Sequence, residues 1–268
     1  MRSLELAVKY LAGERLIGTA AERAAMTTGS AKVIEPSTYG SASGWNESSG
    51  TDITLDTSNQ GASYTSVSTN AGLGRGFTAL SNTAWFCTFE FRFSGQSSND
   101  MGYVTMTNDY TTTWKGSGKY TITCQAQSAG YWRFVLIKNT NGSYSELTGG
   151  TFAINTTYYC NFWRDGSNFY FKVYPTASDR TNNTNATVTL TESAPSGFDG
   201  QLDGLQHWST GGSATGWVRN LTLWDGVTSA GASGDLVLPN LTNGTIFEES
   251  DTGKHYMFDG TSAWNEVT

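Results

Sequence analysis

Hydrolysis of a glycosidic bond needs two carboxyl groups flanking it, and the acids of this chain do not gather into such a pair. Glu90 stands alone in the run Trp85 to Phe93. Glu248, Glu249 and Asp251 cluster near the C-terminus, where Glu248 and Glu249 are adjacent and would face opposite ways on a strand. A Ser/His/Asp triad would have to recruit His207 or His255. Neither lies by a nucleophile elbow, and both read as surface or edge histidines. No Gly-rich loop follows a strand and opens a helix, so the glycines read as turns rather than a phosphate cradle. Cys87, Cys124 and Cys160 each alternate with aromatic or aliphatic residues in a strand-like run. They read as buried thiols acting as small hydrophobes, with a disulfide between two of them as the alternative. Without CxxC spacing and with so few histidines, a metal site is not expected. The chain reads as a non-enzyme with no cofactor.

Binding chemistry is better represented. A sugar site sets aromatic faces beside a few polar groups, usually on loops. The segment NDYTTTWKGSGKY, 108–120, offers Tyr110, Trp114 and Tyr120 among Asn108, Asp109 and Lys115. It is too polar and glycine-rich to be all core. In SAGYWRF, Trp132 shares a face with Phe134 and Leu136, which leaves Tyr131 beside Arg133. Tyr110, Trp114, Tyr120 and Tyr131 are therefore the candidate glycan-contacting residues, and packing on a sheet or a neighbouring subunit is the competing use for them. Trp163, Trp208, Trp217 and Trp224 read as core or sheet-face residues.

The elements that must carry these residues are strands. Charged residues are 15% of the 268, aromatics 13%, with 31 glycines and only 4 prolines. β-Branched and aromatic side chains suit a pleated, half-buried surface. In AWFCTFEFRFSG, 84–95, the odd positions from Trp85 to Phe93 are apolar while Thr88, Glu90 and Arg92 face the other way. MGYVTMTND, GKYTITCQAQ, YWRFVLIKNTNGSYSEL, ATVTLTES and LDGLQHWSTGGSATGWVRNLTLWDG supply further strands. TYYCNFWRDGSNFYFKVYP holds two runs about Asp165-Gly166, a hairpin signal. No helical intervals separate the strands, so two antiparallel sheets packed face to face are expected. The net charge of −7 argues against a nucleic-acid backbone as partner. No run is long and apolar enough to span a bilayer. Glu5, Lys9, Glu14 and Arg15 interrupt the N-terminal stretch, which does not read as a secretory signal.

The two ends differ from the middle. LAVKYLAGERLIGT reads either as part of a helix or as two short strands around Ala12-Gly13, and TAAERAAM, 19–26, as a helical turn capped by Thr19 with Glu22. GTIFEESDTGKHYMFDGTSAWNEVT, 244–268, divides at Asp251-Thr252-Gly253-Lys254 and Asp259-Gly260-Thr261-Ser262 into a three-strand meander. Tyr256 and Phe258 share a face there, Phe247 and Trp264 can join them, and the acids and Lys254 are left in water. The N-terminal segment is the expected partner of this meander. Attachment, not catalysis, is its expected role, carried by Tyr10, Arg15, Phe247, Tyr256, Phe258 and Trp264.

The strand order of 70–226 resembles the concanavalin A-like lectin/glucanase jelly roll, particularly its laminin-G and pentraxin-type members. FTALSNTAWFCTFEFRFSG resembles its early core strand, FAINTTYYCNFWRDGSNFYFKVYPT its central hairpin, and LDGLQHWSTGGSATGWVRNLTLWDGV its closing strands. The glucanase members carry Glu-x-Asp-x-x-Glu on one strand, a run absent here. Lectin-like members often hold Ca²⁺ with loop acids, which makes Asp52, Asp56, Asp100 and Asp109 the places where calcium would be sought. KYLAGERLIGTAAERAAMTT and LPNLTNGTIFEESDTGKHYMFDGTSAWNEVT resemble segments of structural proteins of tailed phages and archaeal viruses. The resemblances imply an all-β, two-sheet jelly-roll sandwich, 32–235, inserted between an N-terminal base segment, 1–31, and a C-terminal meander, 236–268. They imply a virion structural protein (capsid decoration, head fibre or tail-associated) at the particle surface. Its expected partners are other virion proteins, further copies of itself, and host surface glycans. A free or cell-surface lectin is the alternative reading, and a glycoside hydrolase a third.

Overall fold

A computed structural model of the chain describes residues 16–18, 23, 32–34, 39, 44–67, 70–94, 100–111, 116–127, 133–194, 198, 202–210, 214–226, 244–258 and 264–267. The strands, in chain order, are β1 (Leu16–Gly18), β2 (Lys32–Ile34), β3 (Trp45–Ser49), β4 (Ile53–Asp56), β5 (Gly61–Val67), β6 (Ala71–Gly76), β7 (Ala84–Phe93), β8 (Asp100–Thr107), β9 (Tyr120–Gln127) and β10 (Arg133–Thr140). They continue with β11 (Ser143–Thr151), β12 (Tyr158–Asp165), β13 (Asn168–Tyr174), β14 (Val188–Ser193), β15 (Gly204–Ser209), β16 (Ala214–Asp225), β17 (Ile246–Glu249), β18 (His255–Phe258) and β19 (Trp264–Val267). The chain divides into two compact units, Lys32–Gly231, and Met1–Ala31 with Ala232–Thr268.

The larger unit is a two-sheet antiparallel sandwich of jelly-roll type. One sheet has seven strands in the order β11-β10-β9-β8-β15-β6-β3. The other has eight, with β14-β13-β12-β7-β16-β5-β4 in line and β2 pairing with β16. The inner faces follow the alternation of the strands. Trp85, Cys87, Phe89, Phe91 and Phe93 of β7 are buried with Ile122, Cys124 and Ala126 of β9 and with Phe134 and Leu136 of β10 in one core. Phe91 meets Phe134 edge-on at 5.3 Å, so the two sheets interlock through aromatic rings. Cys87, Cys124 and Cys160 are all buried, free thiols within this core. Burial pushes each of them up, which keeps the sulfur protonated and unreactive.

The turns are those the sequence announces. Asn141 and Gly142 both have positive φ, 51° and 89°, which lets β10 reverse tightly into β11. Gly166, φ 55°, reverses β12 into β13, whose register pairs Asp165 with Asn168. One feature departs from an all-strand reading. Residues 177–182 form a helix, α1 (Ala177–Asn182), whose N-cap Thr176 accepts from the Asp179 amide at 3.1 Å. None of its residues is buried, so it shows no apolar periodicity to read.

The smaller unit holds a four-stranded sheet, β1-β17-β18-β19. β1 pairs parallel with β17, and β17, β18 and β19 form an antiparallel meander. Phe247, Tyr256 and Phe258 are buried on one face, and the Trp264 ring lies 5.8 Å from Phe247 and 5.2 Å from Phe258. Arg23, which is helical, lays its guanidinium 3.6 Å above the Tyr256 ring and donates from Nε to Glu249 at 2.7 Å. The reading that left all the acids of the meander in water is corrected here, because Glu249 is only 1% exposed. The Thr252 hydroxyl and Arg23 both bond to its carboxylate and hold its pKa below the usual range. Tyr10, Arg15, the Thr19–Glu22 capping pair and the Asp259–Ser262 turn lie outside the described residues.

Candidate functional site

The outer face of the seven-stranded sheet, turned away from the core, is built unlike an ordinary solvent face. Alternation places Tyr103, Thr105 and Thr107 of β8 there, with Thr121, Thr123, Gln125 and Gln127 of β9. Gln206 and Trp208 of β15 and Val135, Ile137 and Asn139 of β10 join them. Every one of these side chains is buried. Tyr103, Val135, Ile137 and Trp208 form an apolar cluster separate from the main core. The register aligns Val135, Gln125, Tyr103 and Trp208 as one row across four strands. The next row runs Ile137, Thr123, Thr105 and Gln206.

Most polar groups on this face are satisfied. The Thr105 and Thr123 hydroxyls share a hydrogen bond of 2.9 Å, and Asn139 donates to the Lys119 carbonyl at 3.1 Å. The buried Thr121 hydroxyl has no hydrogen-bond partner, and Gln125 departs further. Its amide oxygen and nitrogen are both buried, and neither has a hydrogen-bond partner. A buried amide with unspent bonds costs about 1–3 kcal/mol. It stands between Val135 and Tyr103, where an apolar residue would pack without that cost.

Tyr110 sits at the rim of the same face. A Cβ added to Gly76 would come within 2.6 Å of the Tyr110 ring, and one added to Gly204 within 2.7 Å. At Gly74 the added atom would meet the Tyr110 carbonyl oxygen at 2.3 Å. The tyrosine is therefore seated on a floor that only glycine permits. Gln206 donates to the Tyr110 carbonyl at 3.3 Å and helps fix it. Asn108 and Asp109 precede it in the chain and Asp203 precedes Gly204 of that floor, all half-buried; the Asn108 amide donates to the Gly118 carbonyl at 3.2 Å and accepts from the Tyr120 amide at 2.9 Å. The Thr111 amide and hydroxyl donate to one Asp109 oxygen at 2.9 and 2.7 Å, and the Lys119 ammonium lies 3.2 Å from the other. Burial, with the nearby Asp109 charge, raises the Asp203 pKa above the usual range. Asp109 thus ties the turn that carries Tyr110 to Thr111 and to Lys119.

The other sequence-derived candidates fall elsewhere. Tyr120 belongs to the inner face of β9, where it packs on the core and meets Phe198 edge-on at 5.6 Å. It does not share a face with Tyr110. Trp114 and Tyr131 lie outside the described residues. Trp163 and Trp224 lie on the outer face of the eight-stranded sheet. There Trp163 stacks on Tyr170 at 4.8 Å, and Phe86 bridges Trp163 and Trp224. The Trp217 ring carries Arg219 at 4.5 Å.

The acids considered for calcium do not converge. Asp56 accepts from Asn59, Ser63 and Arg219. Asp109 is engaged by Thr111 and Lys119 as above. The side chains of Asp100 lie outside the described set, and Asp52 is in the turn before β4. Among the described residues no group of three or more His, Cys, Asp or Glu could hold a metal ion.

His207 is a correction. It is neither a surface nor an edge histidine but fully buried, on the inner face of β15. Its Nε2 lies 2.7 Å from the Tyr39 hydroxyl, and its Nδ1 3.3 Å from both the Tyr103 carbonyl and the Tyr64 hydroxyl. A carbonyl only accepts, so the proton fits on Nδ1 and Nε2 accepts from Tyr39. Trp45 stacks on the ring at 5.6 Å. Burial lowers its pKa to about 4, so the ring is neutral at pH 7. No serine or acid approaches it among the groups named, and its place is structural. The alternation Leu205, His207, Ser209 was the signal that it faces inward.

No family model matches the chain, and no curated protein does. Solved structures match its fold. The VIP36 exoplasmic/lumenal domain in its Ca²⁺/Man-bound form is similar with a TM-score of 0.55 at 9% identity, covering 74% of this chain and 91% of that one. The CBM2 module of Lactobacillus casei BL23 phage J-1 evolved Dit gives 0.52 at 11% identity, over 76% of this chain and 98% of that one. A Bacillus subtilis protein of unknown function with a galectin-like fold gives 0.51 at 10% identity, over 76% and 100%. At these identities the likeness is one of fold, a lectin-like jelly roll.

Proposed function

We propose that the larger unit is a non-enzymatic glycan-binding head, and that the smaller unit attaches it to a virus particle as a structural protein. The observation that carries the first half is the Tyr110 rim. An aromatic ring fixed on a glycine floor offers a face for the C–H side of a sugar, while Asn108, Asp109 and Asp203 offer partners for hydroxyl groups. The structural neighbours support the class of ligand, since one is Man-bound and another is a CBM2 module. That second neighbour belongs to a phage protein, which supports the particle half, together with the resemblance of the two terminal segments to virion proteins.

Two measurements test the halves separately. The full chain on a glycan array is expected to retain a defined subset of sugars. A folded chain that retains none overturns the glycan half. Mass spectrometry of purified particles is expected to detect the protein at stoichiometric level. Its absence overturns the particle half and leaves a lectin.

A further inference from the structure

The described residues expose four large hydrophobic side chains, Ile17 (54%), Tyr144 (60%), Met257 (40%) and Val267 (40%). Three of them, Ile17, Met257 and Val267, lie on one face of the four-stranded sheet of the smaller unit. The register makes this explicit. Ile17 pairs with Glu248, Glu248 with His255, and His255 with Val267, which sets one row across β1, β17, β18 and β19. Ile246 pairs with Met257 in the adjacent row of the same face. The opposite face carries buried Phe247, Tyr256 and Phe258, so the exposed apolar side chains are not spill-over from the unit's own core.

We infer that this face is the surface through which two copies of the chain associate, about a two-fold axis parallel to the strands and midway between β17 and β18. Such an axis sends each strand to the mirror position in the sheet it faces. Ile17 then lies over Val267 of the second copy, Ile246 over Met257, and Glu248 over His255. Each of the apolar side chains named meets an apolar one, Asn265 closes the second row beside Met257, and the Glu248–His255 pair of one copy, 3.7 Å apart, faces that of the other in reverse order. A two-fold interface must be self-complementary in this way, and few arrangements of four strands satisfy it. The inference does not rest on glycan binding.

Magnitude decides the form of the association. Four strands ~4.8 Å apart and about four residues long at ~3.3 Å each present roughly 250 Å² of sheet face. A stable dimer buries ~800 Å² per partner. This face alone therefore gives weak, reversible pairing, which becomes effective where copies are already held side by side.

The test is cysteine trapping on the full chain. In the double variant Ile17→Cys with Val267→Cys, the new thiols of one copy are three strands apart, too far to pair within it. Facing sheets lie ~10 Å apart, beyond the reach of a disulfide, so a bismaleimide cross-linker of about 8 Å is used, and this variant is expected to give a covalent dimer at protein concentrations of about 100 μM. Either single variant is expected to give at least tenfold less, and the native thiols no background, being buried. Adding Met257→Glu to the double variant is expected to suppress the cross-link at least fivefold. Circular dichroism confirms that each variant is folded. No dimer from the folded double variant, equal trapping by the single variants, or trapping indifferent to Met257→Glu would each overturn the inference.

Discussion

At the scale of single residues, two buried polar groups behave differently and can be tested separately. His207 is satisfied on both ring nitrogens but held neutral by burial, with its pKa lowered to about 4. The unfolded chain takes up that proton near pH 6.5 and the folded one only near 4. Stability from this residue is therefore complete above pH 6.5 and falls as pH drops toward 4, by about 3 kcal/mol at the end of that window. Urea titrations at pH 7 and pH 4.5 should show this slope, and His207→Gln should flatten it. Equal slopes in the two proteins would assign the acid sensitivity to other groups. Gln125 is the reverse case, an amide without partners in an apolar row. Gln125→Met should raise stability by on the order of 1 kcal/mol in urea titrations. An unchanged or lowered stability would show that the amide does not go unpaired in the folded chain. The inward alternation of His207 was legible in Leu205-x-His207-x-Ser209. The orphan state of Gln125 was not, because it depends on which side chains of β8 and β10 flank it.

At the scale of elements, alternation made the strands readable. Trp85 to Phe93 faced the core as the run of odd positions implied, and the Asn141-Gly142 and Asp165-Gly166 turns fell where their residues put them. Phe86 shows the limit of that reading. It occupies an even position yet is buried on the outer face, between Trp163 and Trp224. Helix α1 escaped notice because it buries nothing, although Thr176 and Asp179 formed a readable cap. The ion pair between Arg23 and Glu249 joins residues 226 apart, a distance no local pattern encodes. Glu249→Gln removes the charge that Arg23 and Thr252 engage. Hydrogen exchange should then speed up across Ile246–Glu249 while the β12–β13 hairpin stays as protected as before. Unchanged exchange at Ile246–Glu249 would show that the pair does not hold the small sheet.

At the scale of the molecule, the chain forms two compact units, each with its own buried aromatic residues. Composition and strand count were enough to indicate the sandwich, because Gly/Ser/Thr-rich turns and short aromatic runs leave few other ways to bury apolar surface. The candidate site was only partly legible. Tyr110 and Tyr120 lie in one sequence segment, but β9 turns Tyr120 into the core while Tyr110 crosses onto glycines from β6 and β15. That floor is assembled from Gly74, Gly76 and Gly204, so only the sheet order could reveal it. The central claim is that the Tyr110 rim holds a sugar. Isothermal titration of the best glycan-array hit into wild type and Tyr110→Ala tests it most directly. The account predicts a loss of at least tenfold in affinity with the fold intact by circular dichroism. Equal affinity in the two folded proteins would contradict it.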